Sequence, residues 1–230
     1  GTNVPGYEVS WNCYDRLITH EMKTGANGVP YYDRDKFKPE LAEDMNVGDM
    51  SVTFKLKKNA KFHDGAPVTA KDVKWSLDRA VSVGGFPTFQ MAAGSLTKPE
   101  QFVIVDDNTV RVDFAKKDRL TIPDLAVIVP CVVNSELVKK YASEKDPWGL
   151  EYTKQNTAGS GAYQVKSWTA GTEVVIADER WLAEVAQQPV RAPIASRADD
   201  MALYQYTSGT TREVPEAVKH RHRAIVTVAI

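Results

Sequence analysis

His63 and Asp64 stand side by side in the run H-D-G-A-P from His63 to Pro67. A histidine beside a carboxylate is the raw material of acid–base catalysis or metal ligation. Here the pair sits in a Gly-Pro turn with no Ser or Cys nucleophile at a recognisable spacing, so its polar atoms are expected to serve the backbone of the turn. His220 and His222, one residue apart, lack the further nearby ligands a metal site needs. Cys13 and Cys131 are far apart with no CxxC, which points to free, buried thiols; pairing them would require an oxidising compartment and close approach. Thr207, Ser208, Gly209, Thr210 and Thr211 form a hydroxyl- and glycine-rich loop of the kind that can hold phosphate weakly through backbone amides and hydroxyls. No catalytic residue, metal ligand or cofactor is assigned on these grounds.

The elements that position these residues follow from hydropathy patterning. Val52, Phe54 and Leu56 alternate with Thr53, Lys55 and Lys57, the period of a half-buried strand over 51–56. Lys58 and Asn59 mark a turn, 63–67 breaks the chain again, and Thr69-x-x-Asp72 opens a helix whose Val73, Leu77 and Ala80 share a face. Residues 102–105 and 110–114 flank Asp106, Asp107 and Asn108 and read as a hairpin. Asn134 or Ser135 can cap a short helix carrying Leu137, Val138 and Tyr141. A further hairpin is expected from 162–168 and 172–176. Strands and helices mixed without βαβ alternation predict an α+β fold. From 182 to 198 the chain is rich in Ala, Gln, Pro and Val, with Pro189 and Pro193 interrupting any helix, and a junction is placed there.

Composition narrows the function classes. With 29 basic and 30 acidic residues, net charge −1, the chain lacks the electrostatic footprint of a nucleic-acid or anionic-membrane binder. A small neutral solute fits better. No window approaches the roughly 20 apolar residues of a membrane span. The first residues, Gly1 to Pro5, have neither a basic nor an apolar signal-peptide region.

The run FKLKKNAKFHDGAPVTAKDVKWSLDR, Phe54 to Arg79, closely resembles the signature of the family 5 extracytoplasmic solute-binding proteins of peptide and nickel ABC transporters. Tyr14 to Ile18 resembles that family's early Y-E/D-x-L strand end. Lys38-Pro39-Glu40-Leu41-Ala42 is similar to its P-x-L-A approach, and Thr157 to Tyr163, T-A-G-S-G-A-Y, to its G-T-G-P-Y turn. The usual Trp after P-x-L-A is absent, and Ala162 replaces the Pro of the turn. The resemblance implies a mixed-sheet N-terminal lobe of a type II-like periplasmic binding protein over residues 1–181. It further implies a periplasmic, non-enzymatic, substrate-binding role, with a small solute such as a peptide as ligand and a membrane permease as partner. In complete relatives the solute sits between two lobes that close by hinge motion; this chain, lacking the second lobe, is expected to be impaired in closure. The loop after the first strand, Asn12, Cys13 and Tyr14, with Phe89 and Met91 near the Gly84–Pro87 loop, are the candidate ligand-lining residues.

Asp199 to Thr211, D-D-M-A-L-Y-Q-Y-T-S-G-T-T, resembles the phosphate-loop signature of adenylate-forming acyl-CoA synthetases, and Ala217 to Arg223 continues in the same order. That resemblance implies a strand-loop-helix fragment over 199–230, with Thr207, Ser208, Gly209, Thr210 and Thr211 at the ATP phosphates. Arg212 replaces the family's Gly, and Glu216 its Lys, which would repel a triphosphate. An inactive remnant in a chimeric chain is the expectation.

Overall fold

The computed structural model describes residues 4–26, 28–166, 201–206 and 217–221. The chain divides into two compact units, 1–183 and 184–230.

In the first unit, helix α1 (Val4–Cys13) leads into the hairpin β1 (Ile18–Thr24) and β2 (Pro30–Pro39), which pair antiparallel from Ile18 opposite Pro39 to Thr24 opposite Pro30. β3 (Ala42–Val47) and β4 (Ser51–Leu56) follow, then α2 (Ala70–Ser82) and α3 (Gly85–Ala93). β5 (Phe102–Asp106) and β6 (Thr109–Asp113) complete a four-stranded sheet in the order β3-β4-β6-β5, and α4 (Thr121–Leu125), α5 (Ser135–Lys139) and α6 (Leu150–Thr153) are short. The α+β class holds, and every strand pair among the described residues is antiparallel.

The predicted alternation in β4 is realised: Val52, Phe54 and Leu56 are all buried. Val110 and Val112 of β6 join them from the neighbouring strand, and Val73, Leu77, Ala80 and Val81 of α2 pack into the same cluster. Each of the Val, Leu and Phe side chains contributes about 1.5–3 kcal/mol through removal from water.

α2 begins where the sequence predicts, with the Thr69–Asp72 capping box in place. Asp72 Oδ2 accepts from the Thr69 amide (3.1 Å) and also from the Thr69 hydroxyl (2.7 Å). Its other oxygen, Oδ1, accepts from Ser135 N (3.1 Å) and Ser135 Oγ (2.8 Å). One buried carboxylate thus fixes the start of α2 and ties it to α5, where Asn134 caps through a bond from Leu137 N (3.0 Å).

Three expectations change. Residues 4–13 form a helix, so Asn12 and Cys13 end α1 instead of following a strand; Tyr14 N closes the last turn on Ser10 O (3.1 Å). The segment after Gly84 is helix α3, not a loop. Gly84 (φ 80°) and Gly85 (φ 63°) take left-handed conformations, which glycine adopts without strain, to turn the chain out of α2. Pro87 then falls in the first turn of α3, where a missing N–H costs no intrahelical bond. In the second unit β7 (Met201–Tyr206) pairs antiparallel with β8 (Ala217–Arg221), Tyr204 opposite Lys219, so residues 217–221 are strand where a helix was expected. The junction 182–198 and the hairpin arm 172–176 lie outside the described residues.

Candidate functional site

The G-S-G turn at 159–161 is pressed against the end of α1. Gly161 N donates to Cys13 O (3.1 Å) and Tyr163 N to Asn12 O (3.0 Å). A Cβ on Gly161 would lie 2.6 Å from Asn12 O and 2.6 Å from the Cys13 carbonyl carbon, and one on Gly159 would collide with Cys13 O. Only glycine lets the two main chains approach this closely.

Other segments brace the same bend. His63 N donates to Gly159 O (3.0 Å), and His63 Nε2 lies 2.8 Å from Gly161 O. Because a carbonyl only accepts, Nε2 carries the proton, and Nδ1 is buried without a partner among the described residues. Ala158 N donates to Tyr14 Oη (3.1 Å), Ser160 Oγ to Asp15 Oδ2 (2.8 Å), Asn134 Nδ2 to Asp64 Oδ2 (2.8 Å) and Val132 N to Asp15 O (2.8 Å). The histidine and aspartate of H-D-G therefore hold backbone and turn, as their place in the sequence predicted. Burial pushes the Cys13 and Cys131 thiols up to about 11, so both stay protonated at neutral pH; both are free.

On the surface of α1, Tyr7 and Trp11 are four residues apart and share a face. Tyr7 meets Phe86 of α3 edge to face, with centroids 6.4 Å apart and planes at 74°. Trp11 lies near-parallel to Tyr32 of β2 (6.4 Å, 19°), and the Arg16 guanidinium sits 4.0 Å over its ring. Arg16 is oriented by Glu40, which accepts from Arg16 Nε (2.8 Å) and Nη2 (2.5 Å). Thr88 Oγ1 accepts from Gly84 N (2.9 Å) and donates to Ala80 O (3.2 Å), docking the start of α3 on α2. Phe89, one turn along α3 from Phe86, is 73% exposed. Tyr7, Trp11, Phe86 and Phe89 thus form an aromatic face on α1 and α3.

The predicted lining residues separate into two groups. Asn12 and Phe89 are exposed, whereas Cys13 is buried and Met91 lies fully within the main core. Met91 is corrected to a core residue: it sits two positions after Phe89, on the helix face turned to α2, and presents no surface to a solute. Tyr14 is half-buried and spends its hydroxyl on the turn. Sequence reasoning missed Tyr7 and Trp11; their four-residue spacing was the available signal, obscured because residues 4–13 were not read as a helix. Thr207, Ser208, Gly209, Thr210 and Thr211 lie outside the described residues. Among the described residues no group of His, Cys, Asp and Glu could hold a metal ion, and no helix is long and apolar enough to cross a membrane.

Residues 36–181 match the bacterial extracellular solute-binding proteins, family 5 (middle). The chain belongs to this family. It is 31% identical over 172 residues to the probable D,D-dipeptide-binding periplasmic protein DdpA of Escherichia coli K12, covering 74% of this chain and 31% of that protein. To the periplasmic oligopeptide-binding protein OppA of the same organism it is 27% identical over 222 residues, covering 88% of this chain and 38% of OppA. That coverage exceeds what residues 1–181 alone can supply, so the likeness to OppA runs past the expected junction. Among solved structures, the periplasmic binding protein AgaA of A. tumefaciens R10, in complex with agropinic acid, is 28% identical with a TM-score of 0.57 over 76% of this chain and 31% of AgaA. The substrate-binding domain of an oligopeptide ABC transporter from Bacillus anthracis shares the fold, with a TM-score of 0.60 over 80% of this chain and 36% of that one at 21% identity. The chain spans about a third of the length of the relatives it matches.

Proposed function

We propose that this chain serves as the substrate-binding part of a periplasmic ABC importer that takes up peptides or similarly small solutes. It would pass its solute to a membrane permease and perform no chemistry on it. The observation that carries the reading is the aromatic face of Tyr7, Trp11, Phe86 and Phe89, set beside a bend that main-chain hydrogen bonds hold rigid. Rings that are exposed at Trp11, Phe86 and Phe89 and half-buried at Tyr7, on a fixed frame, suit a solute's apolar side chains, and the adjacent Asn12 offers a polar contact. Membership of a solute-binding family, with dipeptide- and oligopeptide-binding relatives, supports peptides as the class.

Isothermal calorimetry of the chain against di- and oligopeptides tests the reading. Binding is expected, with quenching of Trp11 fluorescence, and Phe89→Ala should weaken it while leaving the urea midpoint unchanged. Peptide binding that Phe89→Ala, Phe86→Ala and Tyr7→Ala all leave untouched would overturn the assignment of the face. The second family resemblance, over 199–230, rests on sequence alone, and no described residue adds to it.

A further inference from the structure

At the bend that follows α1 lies an open pocket of about 460 Å³ lined by Asp15, Thr19, Lys38 to Leu41, Lys57, Ala60, Lys61 and Ser160. Its walls come from four places the fold brings together: the start of β1, the joint between β2 and β3, the turn after β4 and the 159–161 turn. Lys57 N donates to Leu41 O (3.0 Å) and Glu40 N to Leu17 O (3.0 Å), so the walls are locked to one another through the backbone.

The charges around the pocket do not balance. Glu40 is committed to Arg16, accepting from its amide (2.7 Å) and twice from its guanidinium. Lys38, Lys57 and Lys61 form no ion pair among the described residues. One carboxylate remains, Asp15, and it is bonded to the Ser160 hydroxyl. Three unpaired ammonium groups, the Thr19 hydroxyl and a concave wall are the complement of a small oxyanion.

We propose that this pocket is a binding site for a small doubly charged oxyanion, of the sulfate or dicarboxylate class, held by Lys38, Lys57 and Lys61 with the hydroxyl of Thr19. The proposal is independent of the peptide reading and uses none of the aromatic residues. Binding takes up a proton at Asp15. Burial already pushes that carboxyl above the ordinary range and Glu40 adds to the push, while the Ser160 hydroxyl, Arg16 and His63 pull it down. An anion beside it favours the neutral acid further, so affinity rises as pH falls through the raised pKa of Asp15.

Sulfate keeps its charge across the working range and is the first probe; succinate is the second. With ionic strength held constant by chloride, amide shifts in NMR titrations of the chain are expected at Asp15, Leu41, Lys57, Lys61 and Ser160. Affinity at pH 5 should exceed that at pH 7. The triple variant Lys38→Gln, Lys57→Gln, Lys61→Gln should lose about tenfold or more in affinity, and Lys57→Gln alone should weaken binding measurably if the triple variant does not fold. Asp15→Asn should bind sulfate more tightly than the parent at pH 7 and lose the pH dependence, which separates Asp15 from His63. Saturation by sulfate only or by succinate only assigns the anion to one of the two classes. Shifts spread over lysines elsewhere, or equal affinity in the lysine variants, would overturn the site.

Discussion

Helices α1 and α2 sit in the same unit and do opposite work. α2 buries Val73, Leu77, Ala80 and Val81, and its first turn is locked by the Asp72 carboxylate to Thr69 and Ser135. α1 has no acidic residue in its first turn or basic residue in its last, and it carries Tyr7 and Trp11 where they contact other surface rings. Its position is fixed at its end, where Asn12 and Cys13 give their carbonyls to the 161–163 segment. The contrast teaches that a signature in sequence marks the frame, while the face proposed to meet a solute is free of such marks.

Breaking the frame should have the largest effect. Asp72→Ala removes the acceptor of four bonds and leaves Ser135 unsatisfied in the interior, so a loss of about 4 kcal/mol is expected in urea unfolding. Should the variant be within about 1 kcal/mol of the parent, the carboxylate is not the lock described. Gly161→Ala attacks the other fixed point, and the overlap of its Cβ with the main chain of residues 12–14 predicts a cost of about 2–3 kcal/mol, measured the same way. Here a neutral result would mean that the bend yields easily and that the end of α1 is not rigidly held.

The surface side of the comparison predicts a different response. Phe89→Ala should cost about tenfold in peptide affinity by calorimetry, with a stability change under about 0.5 kcal/mol, since the ring is mostly exposed. A large stability loss would move Phe89 to the frame. The smallest effect is in pH dependence. Burial pushes the Asp124 carboxyl above its ordinary range despite the bond from Gln90 Nε2 (2.8 Å). The folded form then holds that proton more tightly than the unfolded form, so this group's stabilisation is present at low pH and is lost as pH rises through the raised pKa. Asp124→Asn should therefore gain less stability than the parent between pH 7 and pH 5, read as the change in urea midpoint. An unchanged pH slope would remove Asp124 from the account.

The frame was legible because each part has a local cause. Alternation gave β4, Thr69-x-x-Asp72 marked the start of α2, the Asp-Asp-Asn turn marked the β5–β6 hairpin, and Asn134 marked the cap of α5. The face was legible only in part. Phe89 was found, but Met91 was grouped with it because two side chains near a glycine turn look alike until a helix sends one outward and the other into the core. α1 has weak amphipathicity, since its rings lie on the exposed side, and so gave no helical pattern of the kind burial creates. The β1–β2 hairpin escaped for a similar reason: most of its residues are exposed, leaving little alternation to read.

The closeness of the 159–161 turn to residues 12–14 has a consequence for descent. Its two main-chain bonds join a carbonyl of one segment to an amide of the other, so they survive the replacement of either side chain. Lineages carrying this arrangement can vary the residue at Asn12 without loosening the joint, while Gly159 and Gly161 cannot change at all without opening it. Under the proposed function, side chains on the aromatic face can change while the joint held by the two glycines is kept.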